Sequence, residues 1–275
     1  MRLPATRHAD SRLRLRLTTF SIVARCQRTG QLGGAVSTAD VGAGRLVLWA
    51  KAGVGAVATQ SWPNLYLAID AIRLMESGTS APKALDTVLE ADPDKALRQL
   101  GIVDHAGMAA AWSGSDCTDS YGDVVGNGFA AQGNMLVSSR TVEALAATFK
   151  ATEGLVLAER LLRCLEAAQS AGGDKRGRQC SALLVVDREE FPLWDLRADE
   201  HPNPVAELRR IYEIARHQLL PFVEGLPTRT NSRGSLSEGF IEMNLRPPPE
   251  RPGGGGAGPW LEPDAKRLNK GEDKR

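Results

Sequence analysis

A threonine at the start of a polypeptide holds a nucleophile and a base in one residue. Its Oγ can attack a carbonyl, and its α-amine, with a reference pKa of about 7.7 to 8.0, can take the hydroxyl proton near neutral pH. Thr19 opens the run Thr19-Phe20-Ser21-Ile22-Val23-Ala24-Arg25, whose apolar content reads as a short β-strand. Its amine is free only if the eighteen preceding residues are removed; an internal threonine has none. Taken alone, the run reads first as an ordinary buried strand. Residues 1–17 are rich in arginine and lack the continuous apolar stretch of a secretory signal. A start codon assigned too far upstream, a pro-segment and a disordered basic arm all fit them.

Other constellations offer supporting chemistry, each beside a plain structural reading. Gln132-Gly133-Asn134 can turn a backbone amide or the Asn134 carboxamide toward a developing oxyanion, or form a β-bulge with a polar side chain at its rim. Gly172-Gly173-Asp174-Lys175-Arg176-Gly177-Arg178-Gln179 concentrates glycine and charge. It suits either the anchoring of a carboxylate or phosphate, or a helix-terminating turn in which Asp174 and Arg176 form structural salt bridges. The ending of a Walker loop is missing from it. Asp195, Arg197, Asp199 and His201 alternate along one side of an extended segment, as an ion-pair ladder would more readily than a metal site. Ser37-Thr38 and Thr59-Gln60 are strand or strand-end residues that can line a cleft. Cys26 is an alternative nucleophile by residue type only.

Composition narrows the field. With 34 basic and 33 acidic residues in 275, the net charge of +1 gives no global field to recruit nucleic acid or an anionic membrane. No stretch reaches the roughly 18 unbroken apolar residues of a membrane helix, so the chain is expected to be soluble and cytoplasmic. The four cysteines, Cys26, Cys117, Cys164 and Cys180, are scattered without CxxC spacing or a suitably placed histidine. They read as isolated thiols in a reducing compartment, and neither metal nor cofactor is expected.

The elements that must position these residues follow from the hydrophobic pattern. Strands are expected at 19–26, 32–37, 46–50 and 53–59, then helices at 64–77, closed by Gly78, and from Ser80 to about Glu90. Segments 99–104 and 108–112 flank Asp104-His105-Ala106-Gly107 as a hairpin, and after a glycine-rich polar loop at 114–128 comes a strand at 129–137. Helices at 140–150 and 155–171, a covered strand at 181–186 and a helix at about 204–220 complete the order. Trp49, Trp62 and Trp112 read as packing aromatics. Beyond Leu226 the composition shifts to proline, glycine and charge, so 226–275 is expected to be a largely disordered tail in which Trp260 anchors weakly. Runs of helices over antiparallel strands give an α+β fold, with two sheets face to face and each covered by helices, in a domain spanning 19–225.

Six segments stand together in the order found in one bacterial family: Thr19 to Arg25, Ala52 to Gln60, Arg98 to Asp104, Gln132 to Leu136, Gly172 to Gln179 and Asp195 to Pro202. Over about residues 19–214 the chain resembles domain of unknown function 1028, a family grouped with the N-terminal nucleophile (Ntn) hydrolases. The resemblance implies a four-layer αββα sandwich with two mainly antiparallel sheets, and amide hydrolysis by Thr19. Thr18 stands where many relatives have an initiator methionine. The interval from Thr19 to Lys51 also resembles that from nucleophile to active-site lysine in proteasome subunits. A lysine there would assist proton transfer, whereas elsewhere Lys51 is a solvated charge at a strand end. The catalytic set expected on these grounds is Thr19, Lys51 and Asn134, with Ser21, Thr59, Gln60, Asp174, Arg176 and Gln179 contacting a small amide substrate. Arg176 and Arg178 would select an acidic one. A homodimer is the expected assembly, and a non-catalytic Ntn-fold binding or structural protein is the competing reading.

Overall fold

The structure, a computed structural model, describes residues 19–239 and 241. Residues 1–18 and 242–275, including the expected basic arm, most of the expected tail and Trp260, lie outside the described residues. The chain divides into two compact units, Met1–Arg216 and His217–Arg275.

The first unit contains β1 (Thr19–Arg25), β2 (Leu32–Thr38), one helical turn α1 (Gly44–Val47), β3 (Leu48–Lys51), β4 (Gly55–Ser61), α2 (Leu65–Glu76), α3 (Ala81–Glu90), β5 (Arg98–Asp104), β6 (Ala109–Ser113), β7 (Gly122–Gly126), β8 (Phe129–Asn134), α4 (Arg140–Ala151), α5 (Leu157–Ser170), β9 (Cys180–Val186), β10 (Trp194–Ala198) and most of α6 (Pro204–Gln218). A short α7 (Leu220–Gly225) belongs to the second unit. The strands form two wholly antiparallel sheets, one in the order β10-β9-β2-β1-β8-β7 and the other β3-β4-β5-β6. The fold is therefore mixed α+β.

Local chemistry explains the helices. Asn64 caps α2 by accepting from the Tyr66 N–H, Gly78 ends that helix region at φ +95°, and proline stands in the first turn of α3. The two helices cover one face of the smaller sheet, where Leu67, Met75, Leu85 and Val88 pack on Val57, Leu100 and Ile102, with Trp49 and Trp112 at the margin. The other face of that sheet meets the larger one through Val23, Leu32, Val36, Ala56, Ala58, Val103 and Ala130. Helices α4 and α5 contact β1, and between them cover β2, β7, β8 and β9. Residues of β1 alternate between these surroundings: Val23 and Ser21 face the second sheet, while Phe20 and Ile22 point away from it.

Three elements depart most from expectation, beyond shifts of one or two residues at other strand ends. The strand expected at 46–50 begins only at Leu48, because residues 44–47 close a helical turn. Glycine and aspartate concealed β7, an edge strand inside the expected loop at 114–128. Asn127-Gly128 turns it back into β8, with Gly128 at φ +76°, the left-handed conformation such a turn requires. Strand β8 ends at Asn134 rather than 137, because Met135 takes φ +50°. Trp62 is 37% exposed rather than packed, its carbonyl accepting from Arg98 Nη1.

A buried ion pair fastens the start of β5. Asp92 Oδ2 accepts from Arg98 Nε at 2.8 Å, and Asp92 also accepts from the Asp94 N–H and Asn64 Nδ2. Burial alone would raise the Asp92 pKa, but the Arg98 guanidinium and these N–H donors hold it below the ordinary carboxylate value. A depressed pKa contributes stability that is present above the unfolded value, about 3.9, and lost as pH falls through the folded one. Urea unfolding of Asp92→Asn below about pH 4 is accordingly expected to vary less steeply with pH than that of the wild type.

Candidate functional site

Where β1, β8, β4 and β5 end together, polar residues replace the apolar layer between the sheets. Thr19 pairs with Thr38 on one side and Asn134 on the other. Gln60, near the end of β4, pairs with Gln99 near the start of β5. Thr19, Ser21, Gln60, Gln99, Gln132 and Asn134 are all fully buried. Three glutamines inside a core are tolerable only if their amides are bonded.

Gln99 organises the cluster. Its Nε2 donates to Ser113 Oγ at 2.8 Å, the Gly133 carbonyl at 2.9 Å and the Gly122 carbonyl at 3.3 Å, which leaves Oε1 to accept from Gln60 Nε2 at 2.8 Å and Asn134 Nδ2 at 2.9 Å. Gln60 Nε2 also donates to the Thr19 carbonyl at 3.2 Å, and its Oε1 accepts from Ser21 Oγ at 2.6 Å. Gln132 Nε2 donates to Ser21 Oγ at 2.6 Å. The bonds fix every amide orientation, so the two remaining oxygens, Asn134 Oδ1 and Gln132 Oε1, are buried acceptors without a hydrogen-bond donor. Gly101 makes room for this arrangement: a Cβ there would collide with Gln132 Oε1.

The Thr19 hydroxyl points into a second chain of bonds. It donates to Thr38 Oγ1 at 3.3 Å, and Thr38 donates to Asp40 Oδ2 at 3.2 Å. Asp40 is gripped by Arg176, whose Nη1 and Nη2 reach its two oxygens at 3.1 and 2.7 Å. Arg176 Nη2 also reaches Asp174 Oδ2 at 3.2 Å, and that oxygen accepts from the Ala39 N–H. Backbone bonds from Gln179 N to the Thr38 carbonyl, Lys175 N to Met135 O and Val137 N to Gly173 O tie the 172–179 loop over the ends of β2 and β8. Two of the three described non-glycine residues with positive φ, Ser61 and Met135, immediately follow Gln60 and Asn134. Such backbone conformations persist where the surroundings hold them, which is common at functional sites.

The structure thus gathers Thr19, Ser21, Gln60 and Asn134, and brings Asp174, Arg176 and Gln179 alongside through Thr38 and Asp40. Thr59 is not part of the group; adjacent to Gln60 on β4, it faces the other way and its hydroxyl is 3.5 Å from the Asn64 carbonyl. Lys51 is not part of it either. Its strand position is opposite Gly55, five residues and about 16 Å along β4 from Gln60, and it pairs with Glu76 at the surface. An interval in sequence set the expectation; the strand register at β3 removes it. Arg176 spends its charge on two carboxylates of the protein, whereas Arg178 lies 3.5 Å from Asn203 Oδ1. Gln132-Gly133-Asn134 continues the ladder with β1 without a bulge. Arg197 bonds both Asp195 and Asp199, and His201 Nδ1 accepts from Asn203 N, so this segment is an ion-pair ladder. Among the described residues no group of three or more His, Cys, Asp or Glu is placed to hold a metal, and no helix is long and apolar enough to cross a membrane. All four cysteines are free and buried, and burial pushes the Cys164 thiol up to about 12.

Gln99 and Asp40 are absent from the expected site, and Gln132 entered only within its motif. A signal was available: each of the three glutamines sits in a strand made largely of small or apolar residues, where an amide cannot remain unbonded.

Comparison with known proteins agrees with the resemblance to domain of unknown function 1028. The family of unknown function DUF1028 matches residues 19–208. The crystal structure of protein SPO2555 from Silicibacter pomeroyi, assigned to the same family, is 32% identical, with a TM-score of 0.74 over 80% of this chain and 96% of that one. Anbu (ancestral beta-subunit) from Yersinia bercovieri aligns at 11% identity and a TM-score of 0.36 over 76% of this chain and 98% of that one. No curated protein sequence matches. On the family match and the SPO2555 likeness together, the chain belongs to the DUF1028 family.

Proposed function

We propose that this protein is an amidohydrolase of the Ntn kind, built as a four-layer αββα sandwich, in which Thr19, freed from the residues before it, attacks a small amide. The observation that carries this reading is the setting of Thr19. It begins a central strand of the larger sheet, its hydroxyl is bonded into the Thr38 and Asp40 chain, and the buried, donor-seeking Asn134 Oδ1 belongs to the residue directly across from it. In the reaction Oγ attacks the carbonyl and the α-amine takes the hydroxyl proton. The amine then passes that proton to the leaving nitrogen, and water releases the acyl group from Oγ. Asn134 Oδ1 suits an N–H of the resulting ammonium, which gives Asn134 the role of holding the amine rather than stabilising an oxyanion. With Lys51 remote, the amine is the base, and once it is free the hydroxyl turns its one proton from Thr38 to it.

A second reading has its own support: Thr19 is fully buried and in the sequence follows Thr18 through a peptide bond, as suits a non-catalytic small-molecule-binding protein. Intact mass and N-terminal sequencing of protein isolated from its own host separate the two. A terminus at Thr19 is expected; a working form that retains residues 1–18 would leave only the binding reading.

A further inference from the structure

At the end of β1 remote from Thr19, three cations share one cavity with a single carboxylate, Glu153. Arg160, in the first turn of α5, is 5% exposed, and among the described residues no carboxylate lies within ion-pair distance of it. Its Nη2 donates to the Phe149 carbonyl at 2.8 Å, in the last turns of α4, and its guanidinium lies 3.6 Å from the centre of the Phe149 ring. Its Nε, like that of Arg25, is buried with no acceptor. Burial lowers the Arg160 pKa, and the nearby Glu153 carboxylate offsets this only in part. Arg25, Lys150 and Arg160 line one cavity of about 200 Å³, with Glu153 as its one acidic residue.

We propose that this cavity is a second site, which binds a compact oxyanion such as a phosphate group between the guanidinium groups of Arg25 and Arg160 and the ammonium of Lys150. Two arginines supply planar N–H donors suited to an oxyanion, and the lysine adds a point charge. The aromatic walls are already covered, with Arg160 on Phe149 and Lys150 over Phe129 at 5.9 Å, so the ligand engages donors rather than stacking on rings. Arg28 is not available to it, being bonded to the Gly154 and Leu155 carbonyls. The site is six residues, about 20 Å, along β1 from Thr19 and stands independently of any chemistry there.

Thermal unfolding of the full chain at constant ionic strength, with inorganic phosphate replacing chloride, tests the proposal. The Tm is expected to rise with the saturable, logarithmic dependence of a ligand that binds the folded state only. Arg25→Met combined with Lys150→Met, at positions that are partly or fully exposed, leaves Arg160 in place and is expected to weaken the apparent affinity at least tenfold, while Arg73→Met on α2 leaves it unchanged. Malonate run in parallel tells a phosphate ligand from a carboxylate one. No saturable shift with either anion, or an equal shift in the double variant, would overturn the proposal.

Discussion

A Thr19→Ala variant whose chain begins at residue 19 is expected to lose amide hydrolysis by at least about a thousandfold while remaining folded, because the attacking oxygen goes and the scaffold stays. Thr19→Ser, which keeps both hydroxyl and amine, is expected to retain measurable turnover. The full chain is expected to behave like the alanine variant, since the nitrogen of residue 19 is then an amide and takes no proton. Rates measured on a panel of small amides, together with circular dichroism to establish folding, check all three forms. Equal rates for Thr19→Ala and wild type would remove Thr19 as nucleophile. The hydroxyl contacts only Thr38 in the described bonds, so loss of that one bond costs about 1 kcal/mol and is too little to unfold the protein.

The largest stability effect is expected at Gln99. Replacing it by leucine keeps most of the volume but strips bonds from Gln60, Asn134, Ser113 and the carbonyls of Gly122 and Gly133 at once. Each buried group left unpaired costs about 1 to 3 kcal/mol, with some relief where Ser113 retains Asp123 and Gln60 retains Ser21 and Thr19. A loss of about 3 to 5 kcal/mol in urea unfolding is the expected result. Gln99→Glu is expected to be at least as damaging, since a carboxylate oxygen would then face the Gly133 carbonyl that now accepts an N–H. A change under about 1 kcal/mol for either would mean that the inter-sheet amides are not the link between the sheets at this end.

Much of this architecture was legible from pattern alone. The Asp104-His105-Ala106-Gly107 hairpin, the paired helices α2 and α3 and the largely buried β9 follow from turn chemistry and from period 3.6 or continuous apolar runs, which report burial directly. Strand β7 was not legible, because an edge strand between Tyr121 and an Asn-Gly turn buries too little to need an apolar sequence. The site divided in the same way. Thr19, Ser21, Gln60 and Asn134 were expected together because they fall at strand ends within family motifs, and the register brings those ends together. Lys51 was misplaced because an interval counted along the chain carries no information on which end of β3 a residue occupies. Gln99 was missed because what a strand glutamine does is set by the sheet opposite, and that is a contact between residues 34 and 35 positions apart.

The most direct measurement is acid-quench mass spectrometry of the Thr19-initiated protein mixed with an activated ester or anilide, followed by peptide mapping. An acyl group on the Oγ of Thr19, in the segment Thr19–Arg25, forming and decaying at the rate of turnover, is the predicted result. Turnover with no adduct at Thr19, or with the acyl group on another residue, would contradict nucleophilic catalysis from the start of β1.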